Sequence, residues 1–327
     1  RDRIINIIEQ DYPHEKMDII IVSDGSTDDT VKIIERFQKK DSRYSVAIKI
    51  IDRKLSCGKP SALNAGILEA RGEIIVFADC RQRFEKNAIK ELFSNFNDES
   101  FGSVSGELFF KDPTNANDVV EMGAYWKYEK MIRKMESSTG SVMGATGAIY
   151  AIRRALYQTI PDQILLDDVL IPLQIVKQGY RNIFDNSAIA YDTLSENIGQ
   201  EWNRKVRTLA GNWQFVNHAP YFFNPMNWAV FWRLISHKFL RLIVPLLLVI
   251  LLAASCMIDG WFYFSMFVVQ SCFYFIAVLT ARIKFLRNYS ILRIIYFFCV
   301  LNLAALFAFF YWITGKCENL WIANQNK

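Results

Sequence analysis

The stretch "MDIIIVSDGSTDDTVKIIERF", Met17 to Phe37, decides the fold. A continuous apolar run, Ile19 to Val22, leads into a turn rich in Ser, Asp and Gly, and then Val31, Ile34 and Phe37 recur at helical spacing. A short apolar run of this kind is a buried strand, and the recurrence after it is one face of a helix, so the stretch reads strand, loop, helix. The order returns at "GEIIVFADCRQRF", Gly72 to Phe84, where Ile74 to Ala78 form a strand ending in Asp79, with a helix over Asn87 to Phe93. Strands alternating with helices predict an α/β domain with a mostly parallel sheet flanked by helices.

Ligands of such sheets gather beyond the carboxyl ends of the strands. Asp24 and Asp79 both stand at such ends, so two carboxylates are predicted to converge on one crevice. Asp28 and Asp29 read instead as turn formers or caps of the helix that begins near Thr30. Between the two strands lies "CGKPSALNAGILEARG", in which Gly58 and Lys59 open a helix and Ala62, Ala65 and Gly66 permit close packing. Lys59 would stand near a helix N-terminus, where anions are already favoured; a solvated surface lysine is the other reading.

The chain of 327 residues is long enough for about two domains. Composition divides it. Up to about Tyr221 charged and apolar side chains mix as in a soluble domain, and from about Leu242 Leu, Ile, Phe and Val dominate, which predicts a soluble domain over 1–222 and an interfacial helix with membrane spans over 223–327. The net charge of +5 is not gathered into basic clusters interleaved with aromatics, which argues against nucleic acid as a partner. Six cysteines show no close pairing of the kind that grips zinc, and read as small hydrophobes in a reducing compartment. The opening "RDRIINIIEQDYPHEKMD" carries a helical pattern of isoleucines and no secretory signal.

Within the apolar part, residues 239–258, 261–280 and 294–313 are each long enough to cross a bilayer, which takes about 20 mainly apolar residues. Buried helices of a soluble core are disfavoured by the short connections between them. The connector after the second span holds Arg282, Lys284, Arg287 and Arg293, and the approach to the first holds Arg233, Lys238 and Arg241; the turn between the first two offers Asp259 and Gly260. The excess of positive charge predicts that both basic segments and the soluble domain lie in the cytoplasm, the chain being a multi-pass protein of the inner (plasma) membrane. "NWAVFWRLISHKFL" sets Trp228, Phe231, Trp232, Ile235 and Phe239 on one helical face, with Arg233 and His237 on another. This reads either as a helix lying among lipid headgroups or as the start of the first span.

"LLDDVL", Leu165 to Leu170, places two adjacent acids inside an apolar run. Taken with "VSDGSTDDT", "GKPSALNAG", "GEIIVFADCRQRF", "TGAIYAIRR", "LLDDVLIPLQIVKQGYR" and "RKVRTLAGNWQ", in that order from Ile19 to Gln214, it resembles the family-two inverting glycosyltransferases of the GT-A fold, in their membrane-anchored, polysaccharide-synthase-like bacterial branch. The resemblance implies that Asp168 is the catalytic base, because an acceptor hydroxyl must lose its proton as it attacks the anomeric carbon. Asp167 falls beside it on the acceptor side, where it also stands to cap the following helix. Asp79 matches the acid that holds Mg2+ or Mn2+ on the donor diphosphate. The common Asp-x-Asp pattern reads Asp79, Cys80, Arg81 here, leaving one carboxylate fewer and an arginine free to meet phosphate or a neighbouring acid.

By the same resemblance Asp24 contacts the nucleotide, Lys59 the donor, and Thr146 and Gly147 line the acceptor side. Arg204 and Arg207, where polysaccharide synthases carry a Gln-x-x-Arg-Trp motif, would face the diphosphate together. Thr208 replaces the Trp of that motif, which counts against a processive enzyme, and Trp202 and Trp213 stand nearby either to stack on sugar or to anchor at a membrane interface. The family's first strand, with its nucleotide loop, is expected to precede Arg1. The partners implied are a nucleotide-diphosphate sugar, a lipid-linked or polysaccharide acceptor, membrane lipids and other synthase subunits. A polyprenyl-phosphate sugar transferase and a non-catalytic, nucleotide-sugar-binding subunit are the competing readings. A channel formed by the spans is disfavoured, since Arg241 near one end is the intramembrane charge they carry.

Overall fold

The computed structural model describes residues 1–40, 46–111, 124–193 and 198–317. The chain divides into two compact units, Arg1–Glu196 and Asn197–Lys327.

The first unit begins with helix α1 (Asp2–Ile8), followed by strand β1 (Asp18–Asp24), α2 (Thr30–Lys40), β2 (Ala47–Arg53) and α3 (Lys59–Leu68). Strands β1 and β2 are parallel, with Ile19 opposite Ile48 and Ile21 opposite Ile50. The apolar run and the helical stripe seen in the sequence meet here, as Ile19, Ile34 and Val46 bury themselves against Ile4 and Ile8 of α1. The Asp28 carboxylate accepts the Thr30 amide hydrogen at 3.1 Å, as a helix start needs, and Asp29 pairs with Lys32 at 2.8 Å.

The chain continues through β3 (Ile74–Ala78), β4 (Arg83–Phe84), α4 (Ala88–Ser94), β5 (Phe101–Lys111), α5 (Ala124–Thr139), β6 (Ile149–Arg153), α6 (Asp167–Lys177) and β7 (Arg181–Thr193). The second sheet has the order β3-β6-β5-β7-β4. Its pairs β3–β6, β6–β5 and β7–β4 are antiparallel and β5–β7 is parallel. The sheet is thus mixed where the alternation of strands and helices predicted a mostly parallel one. Strand direction leaves no mark on a run buried on both faces, which reads as continuous apolar residues either way. Helix α4 packs Ala88, Ile89 and Leu92 on this sheet against Val104, Ile149 and Ile183.

The second unit starts with α7 (Ile198–His218) and continues through α8 (Trp228–Leu234), a π-helical turn over Ile235–Phe239, α9 (Leu240–Met257), α10 (Trp261–Arg282) and α11 (Ser290–Ile313). Helix α7 packs along α11, so the division falls after Glu196 and not near residue 222, where composition placed it. An amphipathic helix looks soluble by composition whether its apolar stripe faces a soluble core or another helix.

Three helical runs, Trp228–Met257, Trp261–Arg282 and Ser290–Ile313, are long and apolar enough to cross a membrane. The first runs unbroken for 30 residues. That is about 45 Å at the helical rise, against a hydrocarbon core of about 30 Å, so the interfacial segment and the first span are one continuous run whose start outreaches the core. The exposed Trp228 and Trp232 lie in that leading part, while His237 and Phe239 are both buried. The predicted separation of His237 from Phe239 assumed regular α-helix; a π turn holds an extra residue and shifts the faces that follow. Buried Ala304, Ala305 and Ala308 give α11 a flat side for close packing.

Trp213 stacks on Trp312 at 5.1 Å and meets Phe239 edge-on at 5.9 Å; Trp202 meets Phe307 edge-on at 5.9 Å. Both indoles thus pack on aromatic side chains of the apolar helices.

Candidate active site

Asp24 ends β1, and its carboxylate fastens the loop that leads into α3. It accepts the Cys57 amide at 3.1 Å, the Gly58 amide at 2.8 Å and the Ser56 hydroxyl at 2.9 Å, with the Arg53 guanidinium at 3.3 Å. The loop approaches so closely that a Cβ on Gly25 would lie 2.6 Å from the Ser56 amide nitrogen, and Gly25 has the positive φ of 72° that such a turn requires. The two strand-end acids are therefore linked through residues 56–59. Asp24 fixes the start of α3, and the first side chain of that helix reaches Asp79.

Lys59 is that side chain. Its ammonium lies 3.1 Å from Asp79 Oδ1 and 3.3 Å from Asp167 Oδ2, joining the end of β3 to the start of α6. Further along α3, Asn64 accepts the Tyr157 hydroxyl at 2.5 Å and the Ile160 amide at 3.1 Å, and donates to the Ile160 carbonyl at 2.9 Å. One helix thus holds both Asp79 and the segment that delivers Asp167 and Asp168.

Asp167 and Asp168 are the first two residues of α6. The residue before them, Leu166, occupies the N-cap position that Asp167 was expected to fill. Asp167, 4% exposed, turns its carboxylate to Lys59. Pro172 stands inside α6 and has no amide hydrogen for the Asp168 carbonyl four residues back. That carbonyl instead accepts the Ala145 amide at 2.7 Å. The bond docks the turn 144–148 on the start of α6. As a result Gly147 sits against Asp168, where a Cβ would fall 2.7 Å from Oδ2. The turn is held from its other side by Asn182, which donates to the Val142 and Gly144 carbonyls at 2.8 and 3.0 Å.

Thr146 belongs to this turn, but its polar groups face the scaffold. Its hydroxyl donates to the Gly106 carbonyl at 2.8 Å and accepts Arg133 at 2.9 Å, and its amide donates to Ser105 Oγ at 2.8 Å. Arg81 meets a neighbouring acid: its guanidinium donates to Asp192 Oδ2 at 2.7 Å, and Gln82 donates to the same oxygen at 2.9 Å. Asp192 has a side chain 2% exposed and lies on β7. Arg204 and Arg207 are on α7, in the second unit, one exposed and one half-buried.

Several residues at this site went unmarked in the sequence. Tyr150 on β6 is fully buried, stacked on Phe77 of β3 at 4.2 Å, and its hydroxyl has no hydrogen-bond partner. Arg3 of α1 lies over the Phe84 ring at 4.1 Å and donates to the Asp79 carbonyl at 3.1 Å. A stacked aromatic or an arginine in an early helix reads as ordinary core or surface, and the pairing becomes visible once β3 and β6 are known to be neighbours.

The charge balance is negative around one lysine. Burial works against the Lys59 ammonium, but Asp167, Asp79 and Asp168 outweigh it and hold its pKa well above the usual lysine value. Burial raises the Tyr150 phenol far above the usual tyrosine value, with Asp167 and Asp168 adding to the effect. Tyr157 is raised by burial and then by Asp167. Burial and the nearby Arg83 bring Arg3 down to about 10. Both phenols thus remain neutral near pH 7, and the lysine remains charged.

A parallel β-α unit joined to a mixed sheet, with acids gathered at the end of β3 and the start of α6, is the architecture of a GT-A-type glycosyltransferase domain. Residues 2–160 match the model of glycosyl transferase family 2. It is 27% identical over 223 residues to a Bacillus subtilis (strain 168) protein named "Probable glycosyltransferase YdaM", a match covering 63% of this chain and 50% of that protein. It is 22% identical over 215 residues to the poly-β-1,6-N-acetyl-D-glucosamine synthase of Staphylococcus epidermidis, covering 64% of this chain and 50% of the synthase. The chain spans about half the length of these curated relatives. Its fold is shared with a mannosyltransferase of Pyrobaculum calidifontis solved with GDP-Man and Mn2+, at a TM-score of 0.70 and 20% identity, covering 96% of this chain and 83% of the other.

Proposed function

We propose that this chain is a membrane-bound inverting glycosyltransferase that moves a sugar from a nucleotide-diphosphate donor to a lipid-linked or polysaccharide acceptor in cell-envelope or exopolysaccharide synthesis. The observation that carries the reading is the junction at Lys59, where Asp79 from the end of β3 and Asp167 from the start of α6 meet one ammonium beside Asp168. Asp168 stands against the small-residue turn, where Gly147 lets its carboxylate come close to the backbone. Its carboxylate takes the proton of the acceptor hydroxyl as that oxygen bonds to the anomeric carbon and the bond from that carbon to the diphosphate oxygen breaks. Lys59 binds the diphosphate, and Asp24 holds the loop that carries Lys59 in place. Arg204 and Arg207 stand three residues apart on α7, where the resemblance expects charges that offset a leaving diphosphate.

Asp79, with a side chain 37% exposed, is the residue that would hold Mg2+ or Mn2+. Among the described residues no group of three or more His, Cys, Asp or Glu is set to hold a metal, and Arg81 is turned to Asp192. This donor set fits a cation whose remaining ligands are phosphate oxygens of the substrate. Such a cation would neutralise charge on the departing diphosphate. The Mn2+ in the mannosyltransferase of the same fold supports this reading, and the N-acetyl-D-glucosamine polymer named for the staphylococcal synthase supports a polysaccharide product. The three long apolar helices support a multi-pass anchor in the inner membrane, with the α/β unit cytoplasmic.

The test is transfer from labelled UDP-N-acetylglucosamine or GDP-mannose by the purified chain in nanodiscs, with polyprenyl phosphate and a lipid-linked saccharide offered as separate acceptors. Transfer should be lost in Asp168→Asn, falling about a thousandfold or more, with donor binding intact. A product formed on polyprenyl phosphate alone would replace the acceptor named here, and full turnover by Asp168→Asn would remove the base from the mechanism. Equal donor affinity and turnover after thorough chelation would remove the cation.

A further inference from the structure

We infer that Asp167 is a positioning residue for the donor, acting through Lys59, and not part of the acceptor's binding surface. The inference rests on the sugar transfer proposed above and assigns a role to one of its residues.

The two carboxylates that meet Lys59 are unlike each other. The side chain of Asp79 is 37% exposed and that of Asp167 is 5% exposed. An exposed carboxylate can exchange a lysine for water or a cation at little cost, whereas a buried one left without a counter-charge is strongly disfavoured. Asp167 Oδ2 receives no hydrogen bond of good geometry, so the ammonium 3.3 Å away and the start of α6 are what offset its burial. The other end of Lys59 is fixed as well, because Asp24 holds the amides of Cys57 and Gly58 just before it and Asn64 ties α3 to Ile160.

A lysine ammonium has three donors, and Asp79 and Asp167 engage two directions. An arriving diphosphate competes for the same ammonium and displaces the exposed partner first. Lys59 then stays tethered to Asp167, turns toward phosphate, and leaves the Asp79 carboxylate available to a cation. In this arrangement Asp167 sets the height of the ammonium over the donor. Its oxygen faces Lys59 and its side chain is closed to solvent, so it presents no surface to an acceptor; its half-buried neighbour Asp168, against Gly147, is the acid that does.

The test separates the donor from the acceptor. With the purified chain in nanodiscs, binding of UDP and UDP-N-acetylglucosamine is titrated without acceptor, and the Michaelis constants for both substrates are measured. Asp167→Asn should weaken donor binding about tenfold or more and leave the acceptor KM within about twofold. Lys59→Met should weaken the donor at least as much, and the double variant Lys59→Met with Asp167→Asn should bind donor no worse than Lys59→Met alone, since the two act as one unit. If Asp167→Asn does not fold, the double variant carries the test, because it removes both charges together; a donor affinity well below that of Lys59→Met would overturn the inference. So would an unchanged donor affinity in Asp167→Asn with a raised acceptor KM. Wild-type protein that binds neither nucleotide probe and transfers no sugar would instead sink the proposed function beneath it.

Discussion

At the scale of single residues, the absence of a side chain on Gly147 constrains Asp168. A methyl group there would stand 2.7 Å from Asp168 Oδ2, 3.3 Å from its Cγ and 3.3 Å from its Cβ, so the whole carboxylate would have to move. Reacting groups misplaced by about 1 Å lose about a hundredfold in rate. Gly147→Ala is therefore expected to lower kcat about a hundredfold with donor affinity unchanged, as measured by nucleotide titration beside a transfer assay; wild-type turnover would show that Asp168 need not keep this position. The order of the motifs named Gly147 and Asp168 as candidates, and the structure sets the two against each other. Asp192, the acid that takes Arg81, was not among them: it lies 111 residues along the chain and carries no local signal. Nor does a pair of adjacent acids reveal which of them caps a helix. Here Leu166 takes that position, and Asp167 enters the helix with its charge turned to Lys59.

At the scale of elements, α3 and α6 do most to assemble the site, and they were legible to different degrees. Helix α3 announced itself through Gly58, Lys59 and its small residues, and its start matches. Helix α6 was expected from the residues after the acid pair, but the meaning of Pro172 depends on a contact that no local pattern contains. A proline at the sixth helical position normally weakens a helix by removing one bond; here the carbonyl it leaves open is the docking point for Ala145. Pro172→Ala should therefore move stability and activity in opposite directions. The helix gains up to about 3 kcal/mol in intrinsic propensity, less whatever the docked turn loses. The new amide competes with Ala145 for the Asp168 carbonyl, and kcat is expected to fall about ten- to a hundredfold as the turn and its Gly147 loosen. Thermal unfolding and a transfer assay on the same preparation decide it, and unchanged kcat would show that the turn is held by Asn182 alone. Strand existence was read correctly for β1 and β3; the parallel pairing expected of both holds for β1, whereas β3 is antiparallel to its neighbour, because buried runs look alike in either pairing.

At the scale of the whole molecule, the amount of apolar helix was plain in the sequence and its division was not, since α7 carries enough charge to resemble soluble helix until its partner α11 is known. Orientation in a membrane follows from charge and can be tested without any knowledge of substrate. The connector between α10 and α11 holds Lys284 and Arg287, with Arg282 and Arg293 at its flanks, and Arg287 donates to the Thr280 carbonyl at 3.2 Å and the Ala281 carbonyl at 2.6 Å, closing the end of α10. Arg233, Lys238 and Arg241 stand along the run that leads into α9, where Arg241 donates to the His237 carbonyl. Between α9 and α10 the turn carries Asp259 and no basic residue. Translocating the four basic residues of the first group is costlier than translocating Asp259, so the Asp259 turn should face away from the cytoplasm and the α10–α11 connector toward it. In a background with the six native cysteines replaced, Gly260→Cys is expected to react with a membrane-impermeant maleimide in spheroplasts, and Lys284→Cys only after the membrane is opened. The reverse pattern would put the basic connector outside and contradict the charge rule for this chain.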